Sequence, residues 1–172
     1  MRRRHPRIPV TWLMTDERMG AEIWTALERL PRGSGVVFRH YSLAPAERRA
    51  LFAAVARVAR RRGLVLLRGG DMPMRGEAGV HGGHRRGLHT ASAHRRSEAV
   101  VAIRAGAKAV FVSPVFATRS HPGARVLGPV RFGLLAQGVG VPVIALGGMD
   151  SRKARRTAAL GAHGWAGIDV WL

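Results

Sequence analysis

A closed eight-stranded parallel α/β barrel is the fold class this sequence predicts, and three observations predict it. Short apolar runs of strand length alternate with helical patterns along most of the chain, which is the signature of parallel β/α architecture. Eight such runs occur, the number that closes a (β/α)8 barrel of the TIM type. Two of them, in the C-terminal half, break into loops of small, hydroxyl-bearing and glycine residues, as barrels do where they present a phosphate-binding mouth.

The expected strands cover residues 10–14, 35–39, 64–67, 78–81, 88–91, 109–113, 143–146 and 164–170. A helix over residues 21–30 follows the first strand. Residues 45–62 form a second, with Pro45 near its start, apolar side chains at 51, 52, 55, 58 and 59, and arginines elsewhere, an amphipathic pattern that packs outside a barrel. A third spans 97–105, with Ser97 as cap and Gly106 as stop, and the fourth and fifth span 130–137 and 151–160, the last capped by Asp150 or Ser151. Residues 68–77 and 82–87 are too short and too rich in glycine and proline for crossover helices. The helices after strands 3 and 4 are therefore expected to be reduced or missing. That leaves one flank of the barrel bare, and a bare apolar flank predicts a homodimer.

The 172 residues form one domain, 1–172, long enough to bury a substantial core. No apolar run reaches membrane-spanning length, the N-terminal basic stretch lacks the features of a leader, and cysteine is absent, so the expectation is a cytoplasmic protein without disulfides, thiolate chemistry or a membrane partner. The net charge of +19 is almost wholly arginine, since Lys108 and Lys153 are the only lysines. Such a field attracts anions. The arginines are scattered in short clusters and a single tyrosine is present, which argues against nucleic acid and for solvated helix faces; a phosphorylated small molecule, the expected partner, would also benefit from the field.

Residues just beyond each strand meet at one face of a parallel barrel. The hydroxyls of Thr118 and Ser120, with the unshielded backbone of Gly147 and Gly148, are the best phosphate seat among them, helped by the positive end of the helix that begins near Ser151. Arg39, Asp71, His81, Ser92, His94 and His121 stand at other strand ends. His94 suits acid/base work, and is equally a hydrogen-bonding residue before a helix; Arg39 fits an anion contact or a rim ion pair. His81, His84, His89, His94 and His121 lie on strands and loops without a ligand-spaced helical pair, so they read as separate histidines rather than a zinc site.

The run Ser113-Pro-Val-Phe-Ala-Thr-Arg-Ser-His-Pro-Gly123 followed by Val143-Ile-Ala-Leu-Gly-Gly-Met149 resembles the thiamine phosphate synthase and thiazole tautomerase superfamily. The resemblance extends in order through Met14-Thr-Asp-Glu-Arg18, Arg39, Gly79-Val-His81, Ser92-Ala-His94 and the last strand. It implies that Thr118, Ser120, Gly147, Gly148 and Ile168 hold the phosphate of a thiazole phosphate, and that Arg39 contacts the diphosphate of a pyrimidine partner. It also implies magnesium, with Asp71 as the retained ligand, and His94 as acid/base in the tautomerase branch. The chain departs from the pattern at Val37, Tyr41, His121 and Asp169, and at His84-Arg85-Arg86 in place of the second metal carboxylate. Arg68, Arg85, Arg86, Arg119 or Arg125 would then have to act as cationic substitutes. A synthase joining pyrimidine methyl diphosphate to thiazole phosphate is the leading expectation; tautomerase-type proton transfer by His94 and a non-catalytic phosphate-ligand-binding barrel are the alternatives, with nucleic-acid binding through the arginine surface last.

Overall fold

The computed structural model describes residues 7–83, 87–118, 123 and 125–172. Eight parallel strands close into a barrel in chain order: β1 Thr11–Met14, β2 Gly35–Phe38, β3 Val65–Gly69, β4 Gly79–His81, β5 Leu88–Ala93, β6 Ala109–Val112, β7 Val143–Leu146 and β8 Gly164–Gly167, the last pairing back onto β1. Five helices lie outside: α1 Glu22–Arg29 after β1, α2 Pro45–Arg62 after β2, α3 Arg96–Arg104 after β5, α4 Gly128–Ala136 after β6 and α5 Ser151–Ala158 after β7. No helix follows β3 or β4 among the described residues. No described helix is long and apolar enough to cross a membrane.

The pleat sorts side chains into two layers. Trp12, Met14, Val37, Leu67, Leu88, Phe111, Ile144 and Ala166 fill the barrel interior. Trp12 meets the edge of Phe111 at 5.1 Å and donates from Nε1 to the Pro9 carbonyl at 2.7 Å, so the polar handle of this buried ring is satisfied. Gly35 is there because of Trp12: a Cβ on it would lie 2.1 Å from the indole Cε3. The alternate residues pack outward. Leu13, Val36, Phe38 and Leu66 meet Ile23 and Leu27 of α1 and Phe52 and Val55 of α2, while Val110, Val112, Val143 and Ala145 meet Ala99 of α3 and Phe132 and Leu135 of α4.

The flank between β3 and β4 lacks a helix and is covered all the same. Met74 of the 70–78 segment is 5% exposed and packs with Leu66 and Phe52. Arg68, outward on β3 with a side chain 2% exposed, reaches Glu77 Oε2 at 2.7 Å, and the same carboxylate accepts from Met74 N at 3.0 Å. The loop is therefore tied to the strand by a buried ion pair. Leu66 and Val80 are consequently 3% and 0% exposed, so this flank does not present the bare apolar face from which a homodimer was expected. Arg68, considered as a cationic substitute at the mouth, is spent on this outer contact.

Only β7 and α2 keep both expected bounds; the other elements shift by one to three residues at an end, and three of the shifts have a local cause. α3 begins at Arg96 with Arg95 in the cap position, and Ser97 does not cap it; Glu98 reaches back instead to His94 N at 2.8 Å. β8 stops at Gly167, because Asp169–Trp171 turn into a short 3-10 helix that stacks Trp171 on Trp165 at 5.3 Å. β5 runs two residues further, to Ala93, because Ser92 and Ala93 still pair with Phe111 and Val112 of β6. Asp150 is confirmed as the cap of α5, accepting from Lys153 N at 2.8 Å.

Candidate active site

The carboxyl ends of the strands open into one cavity of about 1190 Å³. Arg39, His81, Ser92, His94, Thr118, Gly147, Gly148 and Ile168 all line it, so the strand-end residues chosen from sequence converge as the barrel topology requires. Ser120 and His121 lie outside the described residues, as do His84, Arg85, Arg86 and Arg119.

Two loops build the floor at one end. Val115 N donates to Leu146 O at 2.9 Å and Phe116 N to Gly147 O at 3.1 Å, which zips the β6 loop onto the β7 loop. The approach is close enough to require glycine: a Cβ on Gly148, whose φ is +59°, would lie 2.1 Å from the Ala117 carbonyl oxygen, and one on Gly147 would lie 2.7 Å from Pro114 Cα. The result is a small shelf of backbone with the Thr118 residue at its edge. Above it stands Lys153, from the first turn of α5, whose Nζ donates to the Gly148 carbonyl at 2.6 Å and lies 3.3 Å from Asp150 Oδ2 and 5.3 Å from the Phe116 ring centre. Lys153 is not a strand-end residue, so the strand-end pattern does not single it out. Its signal was present: a scarce lysine three residues beyond the Asp150 cap has its Cα–Cβ bond tilted back toward the helix start and the glycine pair.

Across the mouth, Asp16 accepts from Arg18 Nε at 2.7 Å and lies 3.5 Å from Arg39 Nη2. The hydrogen bond from Arg18, with the nearby positive charges, holds its carboxyl below the usual carboxylate range against the opposing effect of burial. Asp169 also lines the cavity, and its charge adds to that of Asp16 in raising the Arg18 guanidinium. A carboxylate at this end of β8 thus has a cation to face. Arg39 itself is under-satisfied, for its Nε is buried without a hydrogen-bond partner among the described residues.

Two histidines stand in different environments. His81, 7% exposed, has Nδ1 2.9 Å from Thr90 Oγ1 and Nε2 2.9 Å from Ser92 Oγ, with its ring against the edge of Phe111. Burial, then the charges of Arg39 and His89, push its imidazole down to about 4, so it is neutral at physiological pH and orients Ser92. His94 is exposed at the rim, and its Nδ1 donates to the Ser113 carbonyl at 2.7 Å. A carbonyl only accepts, so the proton of the neutral ring is on Nδ1 and Nε2 keeps a lone pair.

Asp71, the carboxylate that the resemblance assigns to magnesium, is not placed to hold an ion in the cavity. Asp71 is absent from the cavity wall, with its carboxylate beside Gly83. No three histidine or acidic side chains converge to hold a metal among the described residues. His89 follows inward-facing Leu88 on β5 and so points out of the barrel. Arg125, considered above as a cationic substitute, does line the cavity.

The family profile described as thiamine monophosphate synthase matches residues 84–170. A putative thiamine-phosphate synthase 2 of Aquifex aeolicus is 38% identical over 81 residues, 47% of this chain and 44% of the relative. The thiamine-phosphate synthase of Chloroflexus aurantiacus is 36% identical over 80 residues, 46% and 37% of the two chains. The matched stretch spans less than half the length of these curated relatives. Among solved structures, thiamine phosphate pyrophosphorylase from Pyrococcus furiosus superposes with a TM-score of 0.78 at 21% identity, covering 95% of this chain and 87% of that one. The structure described as native KDPGal superposes with a TM-score of 0.62 at 12% identity, covering 98% and 86%. Both likenesses show the barrel fold.

Proposed function

Because the chain belongs to the thiamine monophosphate synthase family, we propose that its cavity binds a thiazole phosphate and joins to it a pyrimidine methyl group delivered as the diphosphate. The observation that carries this reading is the shelf made by the β6 and β7 loops, with Gly148 against Ala117, Thr118 at the edge and Lys153 at the Gly148 carbonyl. Backbone amides, a hydroxyl and an ammonium group are the donors a phosphate monoester needs.

In that reaction the lone pair of the thiazole nitrogen forms the new C–N bond to the pyrimidine methylene carbon. The C–O bond to diphosphate breaks with its electron pair on the leaving oxygen, and the thiazole becomes a cationic thiazolium. No electron is gained or lost overall. The barrier lies in the charge developing on the diphosphate, which fixed cations stabilise. Among the described residues, Arg39 and Arg125 are the arginines of the cavity wall, and Arg39 has unspent donor capacity. No step here runs through magnesium. Since phosphorylated substrates of this kind do not cross bilayers unaided, the reading carries with it a cytoplasmic location.

A second reading, thiazole tautomerase-type proton transfer, is favoured by one observation: the Nδ1–H of His94 is committed to Ser113, which leaves Nε2 to take a proton. Calorimetric titration of thiazole phosphate, with and without the pyrimidine diphosphate and magnesium, tests both. The synthase reading expects ternary binding and turnover, at least tenfold weaker thiazole phosphate binding in Thr118→Ala, and little effect of His94→Asn on substrate affinity. Exchange of a ring-carbon proton abolished in His94→Asn, without condensation, makes the tautomerase reading the correct one. No binding of thiazole phosphate by the wild type refutes both.

A further inference from the structure

Beside the main cavity lies a second, smaller cleft of about 530 Å³, between the start of α3 and the start of α4. His94, Ser113, Pro114 and Arg125 line both spaces. The cleft is therefore an annex with the rim histidine at its threshold, reached from the place where the proposed chemistry occurs. Its remaining wall includes Arg95, Arg131 and Glu98, with Val126 and Leu127.

Three guanidinium groups thus face one carboxylate. That carboxylate is already occupied: Glu98 accepts from Arg95 Nε at 2.6 Å and from His94 N at 2.8 Å. Arg125 and Arg131, by contrast, make no hydrogen bond or ion pair among the described residues. The first turn of α4, which carries Arg131 next to it, has no acidic residue. A guanidinium fork matches the oxygens of a phosphate group two at a time, and the cleft, at about 530 Å³, has the room of about eighteen waters, enough for a diphosphate with part of its hydration. A small carboxylate would need one such fork, not three.

We propose that this annex is an anion subsite for diphosphate, holding the leaving group by arginine rather than by a metal ion once the C–O bond has broken. The inference rests on the synthase reading for the origin of its ligand, and on Arg95, Arg125 and Arg131 for its existence. Diphosphate freed at the cavity passes Arg125, the guanidinium common to both spaces, into contact with Arg95 and Arg131. No bond is made or broken in this step; the anion moves from one set of cations to another. With Asp71 outside the cavity wall, the arginines can perform a task that carboxylate-bound metal would otherwise share.

The test is calorimetric titration of inorganic pyrophosphate into the full chain in the presence of a chelator. A chain with a net charge of +19 attracts any polyanion, so the annex variant Arg95→Gln/Arg131→Gln is compared with a charge-matched control, Arg49→Gln/Arg57→Gln, on the exposed face of α2. We expect at least tenfold weaker pyrophosphate binding in the annex variant, about 1.4 kcal/mol, and less than a twofold change in the control. Arg131→Gln alone should give an intermediate loss. Equal weakening in the annex and control variants overturns the proposal, as does pyrophosphate binding that requires magnesium. Thiazole phosphate titrated into the same proteins separates the two readings: the annex variant should bind it like the wild type. If the wild type binds pyrophosphate through the annex and no thiazole phosphate, the synthase reading fails and the anion subsite stands.

Discussion

Acidification from pH 7 to pH 5 should destabilise this protein chiefly through one buried side chain, His81. Its imidazole is pushed down to about 4 by burial and by Arg39 and His89, whereas the unfolded chain has the ordinary value of about 6.5. The unfolded state therefore binds a proton that the native state refuses, and stability present above pH 6.5 is lost progressively as pH falls toward 4. Integrating over that window gives a loss of about 2 kcal/mol by pH 5 and about 3 kcal/mol by pH 4. His40 is shifted in the same direction by its burial and adds to the effect. The carboxylates held below their usual range, such as Asp16 and Asp150, contribute only further down. Urea unfolding at pH 7, 6, 5.5 and 5 reads the change as a falling midpoint, and His81→Gln should remove most of the slope. A wild-type midpoint that is flat across this range, or a His81 ring that titrates near 6.5 by NMR, refutes the reasoning.

Other perturbations separate the shelf from its surroundings. Gly148→Ala forces a Cβ to within 2.1 Å of the Ala117 carbonyl at a φ of +59°; a loss of at least about 2 kcal/mol of stability is expected, together with loss of thiazole phosphate binding, and a variant as stable as wild type by thermal unfolding would show that the two loops are not pressed together. Lys153→Met should weaken thiazole phosphate binding by about five- to tenfold, since the ammonium is partly exposed and its charge partly screened; Lys153→Arg should recover most of it, and unchanged calorimetric affinity in Lys153→Met removes the residue from the site. Sedimentation at micromolar concentration tests the homodimer: a dimer dispersed by Leu134→Glu uses the face of α4, where Val130 and Leu134 are 73% and 64% exposed, and a species of 18.6 kDa ends that expectation.

The barrel was legible because its physics is local. Each strand is a short apolar run with turn residues after it, and each helix has one apolar face, so eight strands and five helices could be placed, their ends to within one to three residues. The strand-end rule then placed Arg39, His94, Thr118, Gly147 and Gly148 at one mouth. What escaped depended on contacts between distant segments. The Arg68–Glu77 pair and buried Met74 close a flank that looks bare in sequence, because a loop without helical periodicity can still bury apolar side chains and pair a charge. Ser97 looks like a helix cap, yet the helix starts one residue earlier because Glu98 satisfies His94 N in its place. Asp169 looks like an obstacle to phosphate, yet Arg18 faces its charge.

The half of the chain that matches the family, residues 84–170, contains β5 to β8, His94, Thr118, the glycine pair, Lys153 and the whole arginine annex. Arg39 and Asp71, the residues that the resemblance assigns to the diphosphate and the metal, both lie outside it. This division has a physical consequence. The β3–β4 side, where the resemblance places the metal carboxylates, has no helix after either strand among the described residues, and Asp71 sits beside Gly83 rather than in the cavity. The β5–β7 side keeps its helices and carries Arg95, Arg125 and Arg131 at the helix starts or just before them. Stabilisation of a leaving anion has to come from fixed positive charge near the breaking bond, and in this chain Arg95, Arg125 and Arg131 put most of that charge on the β5–β7 side, with Arg39 across the mouth. If condensation occurs here, its rate should therefore respond to arginine substitution around His94 and not to magnesium concentration.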